Sequence, residues 1–104
     1  MDIWDRRRKN LAAVLAYKGI RPVEAARRSG LSINTVGKFI RGETHSMRQS
    51  SLDKLCSAVG LASASLLDTE NPLSETKNLL YAAVHDMTDE QAQNVLNYVR
   101  NGYQ

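Results

Sequence analysis

The sequence predicts an all-α protein, on three observations. Apolar residues make up 42% of its 104 positions, yet only six are aromatic, so a core must be built from Leu, Val and Ala, the material of small packed helices. Apolar positions recur at i, i+3 and i+4 in successive segments, and each segment ends on glycine, proline or a polar cluster. No stretch alternates apolar and polar residues as a half-buried strand would. The length allows one small domain, or a domain with an appendage.

The elements follow in order. Arg6 to Lys18 lacks Gly and Pro, places Leu11, Val14 and Leu15 on one face, and stops at Gly19. Pro22 suits the first turn of a second, short helix, with Glu24 near its positive end and Arg27 and Arg28 near its negative end before Gly30. Ser32 can cap a third helix whose inward face is Val36, Phe39 and Ile40, ending near Gly42. After a polar loop from Glu43 to Gln49, Ser50 and Ser51 are cap candidates for a fourth helix carrying Leu52, Leu55, Cys56 and Val59. Ser63 to Leu67 offers one more short helical turn, and Thr69 to Pro72 is a boundary, since Asn71 before proline resists the helical conformation. Two tail helices complete the chain. The first runs from about Ser74 to His85, with Leu80, Val84 and Met87 sharing a face with Leu73; the second opens on a Thr88–Gln91 capping box and carries Val95, Leu96 and Val99 to Asn101 and Gly102. The expected organisation is a domain over residues 1–68, a linker over 69–73 and a helical tail over 74–104.

Charge is unevenly distributed. Residues 6–56 hold twelve Lys/Arg and three acids, whereas residues 71–104 hold two bases and four acids, the mark of a polyanion-binding unit joined to a segment with another task. The single cysteine, Cys56, can make no internal disulfide, no apolar run is long enough to span a bilayer, and the N-terminus does not read as a signal peptide. A reducing cytoplasm, in a bacterium the nucleoid, is the expected location. Catalysis finds no support: His45 and His85 are distant in sequence, Cys56 sits on an apolar face, and no paired carboxylates, phosphate cradle or metal-ligand spacing is present. No cofactor is expected.

Between Pro22 and Ile40 the spacing is specific. Ala26 is small, Gly30 follows four residues later and Val36 six after that, flanked by Leu31 and Phe39. Two helices crossing steeply through a short turn need this chemistry: a methyl where backbones meet, glycine where φ turns positive, and a β-branched plug between them. The stretch from Arg6 to Leu67, about 60% of the chain, resembles the lambda-repressor-like helix-turn-helix domain of phage repressors and many bacterial regulators, through EAARRSGLSINTVGKFIRGE and SLDKLCSAVGLASASLL. The resemblance implies a five-helix DNA-binding domain followed by the two-helix tail, in a transcriptional regulator that acts as a repressor by occupying double-stranded operator DNA.

The same resemblance implies that the start of the third helix lies in the major groove, which makes Ser32, Ile33, Asn34 and Lys38 the base readers. Asn34 can pair with adenine, Lys38 can donate to guanine and Ile33 can touch a thymine methyl, while Gly37 keeps that face low. Phosphate contacts are expected to flank the groove, from Arg27, Arg41, Thr44, Ser46 and Arg48, with the Arg6–Lys9 run either a further clamp or a solvated face that opposes its own helix dipole. The sequence departs from the pattern at Pro22, where a phosphate-binding glutamine is common, at Ile40 and Ser29, and in a loop about four residues longer after Gly42, holding His45, Met47 and Arg48.

The tail helices are too short to stand alone, so they either fold back on the domain or pair with a second copy. The homodimer is the expectation, through Leu80, Val84, Val95, Leu96 and Val99, because two half-sites multiply specificity. Tyr81, Tyr98 and Tyr103 are further interface candidates, and Trp4 is assigned to packing. The alternative function is an interaction module, such as an antitoxin, whose tail binds a second protein.

Overall fold

The helical pattern is realised in a computed structural model that describes residues 2–102. Among these residues there are six α-helices, one 3₁₀ turn and no strand: α1 (Ile3–Lys18), α2 (Pro22–Ser29), α3 (Ile33–Ile40), α4 (Gln49–Ala58), the 3₁₀ turn (Ala64–Asp68), α5 (Glu75–His85) and α6 (Asp89–Arg100). Two starts differ from the sequence-based expectation. Helix α1 begins at Ile3 rather than Arg6, because the Asp2 carboxylate accepts from the Trp4 amide at 3.1 Å and caps the helix. Arg6 and the bases after it therefore lie beyond a first turn that carries Asp5, and the expected conflict with the dipole does not arise. Helix α4 is preceded by Arg48 in an extended conformation and has no side-chain cap; Ser50 and Ser51 lie inside it. Gln49 instead donates to Asp53 one turn on, at 2.9 Å.

The core is confined to the first two thirds of the chain. Leu11, Val14, Phe39, Leu52, Leu55 and Leu66 are at most 1% exposed and form one cluster with Ala25, Ala26 and Val36. Helix α1 packs on α3 and the 3₁₀ turn, α2 packs on α3 and α4, and α4 closes on the 3₁₀ turn. Trp4 extends this core from the first turn of α1, meeting Phe39 edge to face at 6.0 Å. Pro72 is buried and Leu73 packs against the core, so the link between body and tail is docked. Neither α5 nor α6 buries a residue.

Candidate nucleic-acid interface

The α2–α3 turn is built as the sequence spacing requires. Gly30 ends α2 at φ 75°, a left-handed conformation that favours glycine, and the Leu31 amide then donates to the Ala26 carbonyl at 3.1 Å. Ala26 and Val36 are fully buried where the two helices meet. Ser32 then caps α3, its hydroxyl accepting from the Thr35 amide at 3.0 Å and lying 2.9 Å from the Thr35 hydroxyl.

Burial of Val36 and Phe39 fixes which side of α3 faces out. With about 100° between successive residues, Asn34, Lys38 and Arg41 project from the side opposite that pair. Ser32, Asn34 and Lys38 are exposed, and Ile33 is 49% exposed. All four expected base readers are thus open to solvent, although the Ser32 hydroxyl already serves as a cap. Gly37 is buried, and the Arg41 guanidinium lies over the space that a side chain there would fill.

The flanking candidates are also exposed. Arg27 occupies the last turn of α2, while Arg41, Thr44, Ser46 and Arg48 lie in or beside the loop joining α3 to α4. Among the described residues Arg27, Lys38 and Arg48 have no side-chain partner, so their charges are available to phosphate. The long loop is tied down at several points. The Glu43 amide donates to the Lys38 carbonyl at 2.8 Å, His45 lies 2.7 Å from the Asp2 carboxylate, and Met47 packs on the core. Arg41 pairs with Glu43 within this loop, Nε to Oε2 at 2.6 Å.

The basic run of α1 has a structural task. Arg7 grips Asp68 through two hydrogen bonds of 2.7 and 3.1 Å and lies 4.5 Å over the Trp4 ring. Donation to the Asp68 carboxylate raises the already high pKa of Arg7, against the opposing effect of burial. Arg6 donates to the Asp68 carbonyl, and Asn10 donates to the carbonyls of Leu67 and Thr69 at 2.7 and 3.0 Å. Arg8 pairs with Asp5. Arg6, Arg7 and Asn10 therefore clamp the 3₁₀ turn, a role that charge alone did not disclose. The available signal was that Asn10 follows Arg7 by three residues and Arg6 by four, which places it beside both on the surface of α1.

Among the described residues no group of three or more His, Cys, Asp or Glu side chains could hold a metal ion. Cys56 is 1% exposed, and burial, with the nearby Asp53 charge adding to it, pushes its thiol up to about 12.

The tail offers a second surface. Leu80, Val84, Val95, Leu96 and Val99 are 40–58% exposed, and Leu79 is 64% exposed. Leu80, Tyr81 and Val84 line a groove of about 360 Å³ with Thr69 and Lys77. Tyr98 is exposed, and Tyr103 lies outside the described residues. Asn78 is a polar tie to the body, accepting from the Ala62 amide at 3.1 Å and donating to the carbonyls of Pro72 and Ser74. No described helix is long and apolar enough to cross a membrane.

No curated protein and no solved structure matches the chain. A family model of the Cro/C1-type HTH DNA-binding domain matches residues 10–72, from within α1 to the buried Pro72. That span holds the α2–α3 turn, the outward face of α3 and nearly all of the core. The chain belongs to the Cro/C1-type helix-turn-helix DNA-binding family and is a DNA-binding transcription regulator.

Proposed function

We propose that the protein is a dimeric repressor that occupies a palindromic operator. The observation that carries this reading is the accessible face of α3, where Ile33, Asn34 and Lys38 stand clear of the core with Ser32 at the helix start. An α-helix fits the major groove, and these side chains supply an apolar contact, an amide that matches adenine and a donor for guanine. Arg27, Thr44, Ser46 and Arg48 contact phosphate on either side and fix the register of the helix.

The tail supplies the second half of the reading. Helices α5 and α6 are 11 and 12 residues long and bury none of them, a length that is marginal for an isolated helix in water. A second copy covers Leu80, Val84, Val95, Leu96 and Val99 by a twofold interface. Residues 1–68 then form the DNA-binding unit, residues 69–73 the joint and residues 74–104 the dimerisation segment. Two recognition helices read half-sites about 34 Å apart, and repression follows from exclusion of polymerase.

Selection of bound sequences from a random DNA pool near physiological salt, with light scattering on the free protein, tests the reading. A palindrome and a dimer are expected, and Leu96→Asp is expected to give monomers with weakened operator binding. A wild-type monomer that recovers no motif would refute it. The same exposed stripes suit a partner protein, so a monomer that takes up an unrelated small protein through residues 73–104 would favour the interaction module.

A further inference from the structure

Arg41 follows the last residue of α3, and its guanidinium turns back along the helix. A Cβ on Gly37 would lie 2.9 Å from Nη1 and 3.7 Å from Cζ, so the guanidinium rests on bare backbone one turn before its own Cα. Gly37 is itself buried. The guanidinium thereby joins the stretch of α3 that carries Asn34 and Lys38. Glu43 holds it there through Nε, while among the described residues no acceptor takes Nη1 or Nη2. The side chain remains 61% exposed.

We propose that Arg41 is a base reader that takes guanine, donating from its terminal nitrogens to O6 and N7, with Glu43 as its positioning residue. The proposal rests on α3 being the groove-facing helix. Two considerations favour a base edge over a phosphate. The Arg41–Glu43 pair has no net charge, so it displaces few counterions from a phosphate, and the backbone repels its carboxylate. A guanine edge is a neutral pair of acceptors, and it selects for an aligned fork of donors, which a guanidinium fixed at Nε presents in advance.

The test uses the full chain and the operator recovered by selection. Each guanine is replaced in turn by adenine or by an analogue lacking N7, and binding is measured over a range of salt. Wild type is expected to lose roughly tenfold to a hundredfold at one guanine per half-site. Arg41→Ala is expected to be indifferent to that replacement while keeping its salt dependence nearly unchanged. Glu43→Gln is expected to keep the discrimination, since its amide oxygen still accepts from Nε, and Glu43→Ala is expected to lose part of it. Gly37→Ala is expected to melt higher, as alanine does in place of a helical glycine, yet to lose the preference because the guanidinium must move.

If Arg41→Ala weakens all sequences alike and lowers the salt slope by about one phosphate contact, the guanine assignment is overturned. If wild type selects a motif and Arg41→Ala leaves every preference intact, the assignment fails while the operator-binding reading stands. If wild type selects no motif, both fail together.

Discussion

Helices α4 and α6 are nearly equal in length and both carry an apolar stripe, yet their stripes meet opposite fates. In α4, Leu52, Leu55 and Cys56 are at most 1% exposed; in α6, Val95, Leu96 and Val99 are 40–49% exposed. Helix α4 has α2 and the 3₁₀ turn to pack on, whereas α6 lies beyond Leu73, the last apolar side chain that packs against the core. The overall shape records the same contrast. The radius of gyration is 15.5 Å, against about 13 Å for a compact chain of this length. Amphipathic pattern selects the helix, and neighbours decide whether its apolar side is covered.

The contrast can be broken from the body first. Phe39→Ala removes the largest fully buried side chain, which also receives Trp4, and is expected to cost about 3–5 kcal/mol. That is a large part of the stability of a small domain, so the variant should unfold at much lower denaturant concentration. Retention of the wild-type midpoint would mean that the body is not one cooperative core. Arg7→Ala comes next, at about 2 kcal/mol, because it frees Asp68 of both hydrogen bonds and uncovers the Trp4 ring. Its loss should appear in thermal melts as a body effect, with the salt dependence of DNA binding unaltered. A fall in that salt slope with no change in melting would return Arg7 to the phosphate-contacting set.

Thr88→Ala sharpens the comparison from the other side. The Thr88–Gln91 box satisfies amides at the start of α6 from both directions, and its loss is expected to cost that helix about 1 kcal/mol. Circular dichroism should register fewer helical residues while the body transition stays in place. A matching shift in the body's melting would show that tail and body unfold together.

Much of this was legible because the signals are local. The αL stop at Gly30, the Ser32 cap and the Thr88–Gln91 box each lie within a few residues of the group they satisfy, and all are present. The starts of α1 and α4 were displaced because Asp2 caps from a position ahead of the apolar pattern, while α4 forms without any side-chain cap. Arg6–Lys9 was ambiguous for a different reason. A cation's charge is written in the sequence, but its partner, here Asp68 some sixty residues away, is not.

Taken alone, the sequence determined the helix inventory, the helix-turn-helix turn and the outward identity of Asn34 and Lys38, because these follow from periodicity, capping and the burial of Val36 and Phe39. Tertiary structure decided which cations are tied down within the protein. Arg7 is held by Asp68 and Lys18 by the Val59 carbonyl, while Arg27, Lys38 and Arg48 are held by no side chain among the described residues. It also decided that the body leaves the tail uncovered. Both outcomes depend on which groups meet across long stretches of chain, and that is a property of packing geometry that no local pattern encodes.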